Sequence, residues 1–340
     1  MNCGGISFAP FAFIWQVSVP TPSGVQVLGI QSGGFAARQG KFCTREAPLK
    51  TITVAKKSTH PVATRLKASA LLLLLPLLFG VSMSAQQFTK LNPPGSTYAF
   101  AFGINDTGTV TGSFTDAKGV YKGFIYNAGK YQTIIFPGAS KTFTQANGIN
   151  NSNTVVGDFI GKDQLTHGFL LSNGKFTRYD AQKSVSNWIS GISKTGSLVG
   201  YAGNQGNTQG FVKVGKKVTL FTYQGNATYA NGINAANASV GYFIPPPFSA
   251  WHGFYRAANG QMTQLDFPGS QSTSCLGIND NGVITGLYLD SQGVPHGFTH
   301  KNGQFLSYPQ PDIAGMNNKG TYVGSYTAKN GKNYGYIVNR

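Results

Sequence analysis

Gly277-Ile278-Asn279-Asp280-Asn281-Gly282-Val283-Ile284-Thr285-Gly286 is one copy of a pattern that recurs six times: a Gly-Ile-Asn-like triplet, then a second glycine nine residues after the first. The opening glycines are Gly103, Gly148, Gly191, Gly232, Gly277 and Gly315, and their partners are Gly112, Gly157, Gly200, Gly241, Gly286 and Gly324. Successive openings lie 45, 43, 41, 45 and 38 residues apart. Self-similarity at such a period marks stacked supersecondary units, each unable to bury its apolar face alone.

Outward from the triplet, each unit reads as four short strands. The first, as in Ala99 to Asn105, ends in the triplet. Five residues after the opening glycine stand Gly108, Asn153, Gly196, Asn237, Gly282 and Gly320, which tolerate the positive φ of a tight turn. The triplet asparagines (Asn105, Asn150, Asn234, Asn279, Asn317) can cap that turn through their side chains. A second strand follows, as in Thr154 to Phe159 or Val283 to Tyr288. A variable loop then leads to a Gly-aromatic pair that opens the third strand: Gly123-Phe124, Gly168-Phe169, Gly210-Phe211, Gly253-Phe254, Gly297-Phe298 and Gly335-Tyr336. Asn-Gly at 173–174, 259–260 and 302–303 predicts a hairpin into the fourth strand, whose pattern is seen in Lys130 to Phe136.

The two ends of the array decide between an open stack and a ring. The last unit stops at Tyr336-Ile337-Val338-Asn339-Arg340, before any fourth strand, while Phe88 to Gly95 matches the fourth-strand pattern of Met262 to Gly269. A spare first strand that completes the last unit would remove two exposed sheet edges. The expected fold is all-β: a six-bladed β-propeller of four-stranded antiparallel blades over residues 86–340, closed by an N-terminal strand completing the last blade.

Composition agrees. Gly is abundant (45 of 340 residues), charged residues make up only 11%, and the sole glutamate, Glu46, precedes the repeats. The formal charge of +17 is spread out: the repeats hold 19 basic residues, one to five per unit with no basic run beyond Lys216-Lys217, against nine aspartates. That is a solvated surface and not a phosphate track, so no nucleic-acid partner is expected. Cys275 is the only thiol within the repeats, which excludes an intramolecular disulfide or a zinc site there. It stands two before an opening glycine, where other units carry Ala101, Ala146, Ile189, Ala230 and Ile313, so it reads as a small core residue.

Residues 65 to 85 run from Arg65-Leu66-Lys67 through an apolar core with five consecutive leucines to Ser82-Met83-Ser84-Ala85. This describes a secretory signal ending near Ala85, with an apolar core too short for a comfortable membrane span. The expected organisation is a leader at 1–53 that is unstructured or lies ahead of the true start, a signal peptide at 54–85, and the propeller. The mature protein would be a monomer, secreted or held at the cell surface or in the periplasm, with no membrane segment after cleavage.

The triplet, the turn and the following His-Gly-Phe resemble the extracellular HAF-repeat family, whose units carry His-Ala-Phe near a Gly-Ile-Asn stretch. The match covers residues 88–340. Gly replaces the family's Ala throughout, and only His167, His252 and His296 keep the His, with Lys122, Gln209 and Tyr334 in the other units. The resemblance implies an exported bacterial repeat protein of propeller-like fold and carries no general catalytic assignment.

In a propeller the loops between second and third strands share one face with the links between blades. Three sets of residues are expected there. Three before each opening glycine stand Phe100, Gln145, Trp188, Tyr229, Ser274 and Asp312, a mixture suited to aromatic stacking and hydrogen bonding, or simply tolerant packing at a strand start. The fourth unit's loop, Ile244-Pro245-Pro246-Pro247-Phe248-Ser249-Ala250-Trp251, offers Phe248 and Trp251 on a proline-stiffened frame, for binding or for covering its own blade. The third set is Lys122, His167, Gln209, His252, His296 and Tyr334; third strands lie about 10 Å outward of the first, which separates the histidines too far to share a metal. No nucleophile elbow, phosphate loop or metal-spaced His/Cys set occurs, so no cofactor is expected. The reading is a secreted non-catalytic binding or scaffold module, partnered by extracellular carbohydrate or a cell-surface protein. The candidate ligand-binding residues are Gln145, Trp188, Tyr229, Asp312, Phe248, Trp251 and His252. A polysaccharide lyase or glycoside hydrolase on the same face, using Tyr229, His252 or a lysine, and a cell-surface structural protein are the alternatives.

Overall fold

Each sequence unit folds as one blade. The structure, a computed structural model, describes residues 87–339 apart from 141–142, 184, 205–206 and 248–249. The expected leader and signal peptide, and Phe248, lie outside the described residues. The first strand in the chain is β1 (Gln87–Leu91). Blade 1 holds β2 (Ser96–Ile104), β3 (Val110–Asp116), β4 (Tyr121–Asn127) and β5 (Lys130–Ile134); blade 2 holds β6 (Thr144–Ile149), β7 (Val155–Ile160), β8 (Thr166–Ser172) and β9 (Lys175–Tyr179). Blade 3 holds β10 (Ser186–Ile192), β11 (Leu198–Asn204), β12 (Asn207–Val214) and β13 (Lys217–Phe221); blade 4 holds β14 (Ala227–Ile233), β15 (Ser239–Ile244), β16 (His252–Arg256) and β17 (Met262–Gln264). Blade 5 holds β18 (Ser272–Ile278), β19 (Ile284–Leu289), β20 (Pro295–Lys301) and β21 (Gln304–Tyr308). Blade 6 holds β22 (Gly315–Met316), β23 (Tyr322–Thr327) and β24 (Asn333–Asn339), and β1 completes it by pairing antiparallel with β24, Leu91 opposite Gly335. The molecule is the expected six-bladed propeller. Among the described residues there is no helix, and so none long and apolar enough to cross a membrane.

The glycines are explained by proximity. The first strands β2, β6, β10, β14, β18 and β22 each touch the first strands of both neighbours and wall the axis. A Cβ placed on any opening glycine would come within 2.9–3.7 Å of the next opening glycine's Cα, all round the ring from Gly103 to Gly315 and back. A Cβ on any of the first five partner glycines would overlap the cross-strand carbonyl and press on the buried Phe beneath, as Gly157 would on Gln145 and Phe169. Those phenylalanines (Phe124, Phe169, Phe211, Phe254 and Phe298) are fully buried and anchor the core between blades, as Tyr336 does in blade 6. Each contributes about 2–3 kcal/mol by area burial. Cys275 is fully buried against Gly253, and burial pushes its thiol pKa up, so it is the inert core residue expected.

The turn after each triplet carries positive φ at all six anticipated residues, from 58° at Asn153 to 87° at Gly320. Asn105 Oδ1 accepts the N–H groups of Thr107 and Thr109 at 3.1 and 3.0 Å, the expected cap, and its Nδ2 donates to Asn150 O of the next blade at 3.1 Å.

Two local expectations differ. Asn259-Gly260 does not form a two-residue hairpin turn: Ala257 N–H bonds Gln261 O and only Gly260 has positive φ, giving a longer loop that shortens β17 to three residues. β22 is two residues long and not a full strand. The Asp312 side chain accepts Ser325 N–H at 2.7 Å in place of a backbone carbonyl, Ile313 N–H turns to Gly286 O of blade 5, and Pro309 and Pro311 lack ladder donors.

Candidate functional site

The residues three before the opening glycines sit at the start of the inner strands, on the face shared by inter-blade links and the loops between second and third strands. Those of the first five blades lie directly opposite the residue that follows a partner glycine: Gln145 faces Asp158, Trp188 faces Tyr201, and Tyr229 faces Tyr242. Opposed residues in an antiparallel pair share a side of the sheet, so the two positions build one surface.

In blades 3 and 4 this surface is a continuous aromatic wall. Trp188 stacks on Tyr201 at 4.9 Å, Tyr201 meets Tyr229 edge-on at 5.1 Å, and Tyr229 stacks on Tyr242 at 4.7 Å. Trp188, Tyr201 and Tyr229 are half-buried, so the wall keeps solvent access. Blade 2 adds Gln145, also half-buried, and Asp158, which is buried. Asn147 Nδ2 donates to Asp158 Oδ1 at 2.6 Å and to Ile189 O at 2.9 Å. Asp158 Oδ2 has no partner among the described residues, and neither does the buried Trp188 Nε1. Burial pushes the Asp158 carboxyl up to about 7. Burial also raises the phenols of Tyr121 and Tyr201, with the Asp158 charge adding to both.

The structure thus brings Gln145, Trp188 and Tyr229 together. Asp158, Tyr201 and Tyr242 were missed. Their signal was present: the position after each partner glycine reads Ser113, Asp158, Tyr201, Tyr242, Leu287 and Ser325, as varied as the position it opposes. Phe100 and Ser274 occupy the equivalent places in blades 1 and 5 and are buried. Asp312 is engaged within blade 6: besides bonding Ser325, it accepts the Tyr336 hydroxyl at its backbone carbonyl, and burial pushes its carboxyl up to about 7.

Trp251 and His252 stand elsewhere, at the outer end of the blade 4 loop. Trp251 N–H donates to Ser272 Oγ at 3.3 Å and its carbonyl accepts Thr273 N–H at 2.9 Å, which ties the loop to blade 5. His252 Nδ1 pairs with Asp266 at 2.8 Å.

His167, His252 and His296 share one arrangement. Each lies 5.2–5.5 Å from an aromatic ring of its own second strand (Phe159, Phe243 and Tyr288). Each of those rings is stacked at 3.7–4.1 Å on an aromatic from the preceding inter-blade link (Phe136, Tyr223 and Phe267). Carboxylates hold the imidazoles: Asp163 and Asp180 on His167, Asp266 on His252, Asp290 on His296. The His167 and His296 partners pull Asp163 and Asp290 below the usual carboxylate range. Blade 1 replaces the pair with Lys122 and Asp116 at 2.8 Å, and Lys122 holds Asp116 down at about 2. Buried His167 is bonded at both ring nitrogens, which leaves neither for a metal. These are inter-blade staples.

No protein-family model matches the chain, and no curated protein matches it. Solved structures do. Putative TolB from Agrobacterium tumefaciens aligns with a TM-score of 0.50 and 10% identity over 70% of this chain and 89% of its own. TolB from Acinetobacter baumannii aligns with a TM-score of 0.46 and 13% identity over 73% of this chain, which spans 65% of the TolB chain. The lectin of Aleuria aurantia, described as a six-bladed β-propeller with fucose recognition, aligns with a TM-score of 0.44 and 11% identity over 72% of this chain and 91% of its own. The likeness is one of fold.

Proposed function

We propose that the chain is an exported, non-catalytic binding module of the HAF-repeat type. Its ligand is a hydroxyl-rich molecule of the saccharide class, seated against Trp188, Tyr201 and Tyr229 at the axial mouth. The observation that carries this reading is the pair of uncommitted groups beside the wall, Trp188 Nε1 and Asp158 Oδ2. A buried donor and a buried acceptor without partners cost stability unless a ligand or water satisfies them. Aromatic faces next to such groups suit a sugar ring, whose C–H face stacks while its hydroxyls bond.

A glycan array, followed by calorimetry on any hit, tests this. Trp188→Ala removes both the stacking face and the indole N–H and is expected to weaken a hit at least tenfold; unaltered affinity would remove the site from consideration. A second reading, hydrolysis or lysis at the same face, is favoured by the Asp158 carboxyl, which stands opposite Gln145 with Oδ2 unpartnered and is pushed up by burial to about 7. Release of reducing ends from a bound polysaccharide would establish turnover and replace binding with catalysis.

A further inference from the structure

A cleft of about 340 Å³ opens between the link leaving blade 1 and the loop joining β7 to β8 of blade 2, at the small end of the range for ligand sites. Its apolar floor is the stacked pair Phe136 and Phe159, with ring centres 3.8 Å apart and 8° between planes. Phe159 is buried, whereas Phe136 is half-buried and lines the opening. Two cations line the same cleft. Lys162 pairs with no carboxylate among the described residues, and Arg178 uses Nε on Asp180 at 2.8 Å while its side chain stays half-exposed.

The third element is Asp163. Its carboxylate is pinned by His167 Nε2 at 3.0 Å, yet the side chain remains 48% exposed, so its outward lone pairs can accept hydroxyl donors. Gly161 makes that pairing possible, because a Cβ there would come within 2.5 Å of Asp163 Oδ1 and 2.8 Å of His167 Cδ2. The junctions at blades 4 and 5 carry the same stacked aromatics and His–Asp pair. At Arg178's place, two before the carboxylate, blade 4 has the neutral Gln264, which donates to Asp266 at 2.6 Å.

We propose that this junction is a second binding site, separate from the axial mouth, for a uronate residue of an acidic saccharide. The sugar ring would lie on Phe136, its carboxylate between Lys162 and the free guanidinium nitrogens of Arg178, and its hydroxyls on Asp163. An aromatic acid would satisfy the cations and the floor but offers no hydroxyl array to Asp163. The site does not depend on the ligand taken at the axial mouth.

Calorimetry at low salt with the purified full chain, trigalacturonate and the neutral galactose trisaccharide of the same linkage tests it. Trigalacturonate is expected to bind at least tenfold more tightly than its neutral counterpart, and to weaken steadily as salt is raised. Lys162→Gln is expected to cost about tenfold, the loss of one charge-assisted contact at 1.4 kcal/mol per decade. Trp188→Ala should leave this affinity within twofold. Equal binding of the two trisaccharides, no binding of trigalacturonate, or full affinity retained in both Lys162→Gln and Arg178→Gln would overturn the proposal. Loss on Trp188→Ala with Lys162→Gln unaffected would overturn it too, and would move the acidic sugar to the axial mouth.

Discussion

Asp158 is the residue at which fold and site meet. Sequence reading could place Trp188 and Tyr229 because a repeat lets each position be compared with its counterparts, and variation at an otherwise regular position is visible. Asp158 escaped because its role depends on register: only the pairing of β6 with β7 puts it opposite Gln145. The consequence is a pH dependence. Its pKa in the folded chain is raised to about 7, above the ordinary 3.8. Between those values the unfolded chain releases the proton while the folded chain keeps it, so stability falls as pH rises through that window and levels off above it. Asp158→Asn removes this contribution. The variant is expected to melt higher than the parent at pH 8 and to converge with it near pH 4, in paired thermal melts. Asp312, raised to the same value, keeps part of the slope in both proteins, so the difference between them isolates Asp158. A constant offset across the range would show that Asp158 is ionised in the folded chain at every pH tested.

At the scale of the turn, the sequence told half of what the triplet asparagine does. The cap is local and follows from Asn in a tight turn. Where the amide Nδ2 points is a matter of the neighbouring blade, and no local pattern reveals it. It donates to the next blade's triplet residue at five of six junctions: Asn105 to Asn150, Asn150 to Ser193, Asn234 to Asn279, Asn279 to Asn317 and Asn317 to Asn105. Blade 3 has Ser193, whose Oγ caps Ser197 N–H at 3.1 Å but carries no amide to reach Asn234. The acceptor there is competent, since Asn234 O takes only the turn bond from Asn237 N–H among the contacts described, as Asn150 O takes one from Asn153. Carbonyl oxygens have two lone pairs. Ser193→Asn is therefore expected to complete the ring of bonds and add about 1 kcal/mol, the net worth of one buried hydrogen bond. In a domain of this size that is about 2–4 °C of melting temperature by calorimetry. An unchanged or lowered melt would show that the blade 3 to blade 4 junction is already at its preferred spacing.

At the scale of the whole molecule, the ring was legible because closure leaves a mark in the sequence: one spare strand at the start and one missing at the end. What was not legible was how that closure is held. β1 is five residues long, yet Leu91 is fully buried in the core shared with Ala101, Phe124 and Ile337, and it packs against the backbone of Gly335. Phe88, by contrast, is 48% exposed and stacks on Tyr336 at 5.6 Å from outside. The seal between the first and last blades thus rests on one aliphatic side chain more than on the length of the strand. Leu91→Ala leaves every β1 backbone bond available and removes only the packed side chain, which costs about 2–5 kcal/mol for a fully buried leucine. At about 2–4 °C per kcal/mol, the melting temperature should fall by about 4–20 °C. Leu306→Ala is the matched control, because Leu306 sits on the outer strand of blade 5 and is 59% exposed; its cost should stay within about 0.5 kcal/mol. If the ring is closed by β1, the two variants separate clearly, and Leu91→Ala also becomes prone to associate, since a loosened β1 uncovers the edge of β24. Equal melts for the two would mean that the sixth blade holds its place without the strand that completes it.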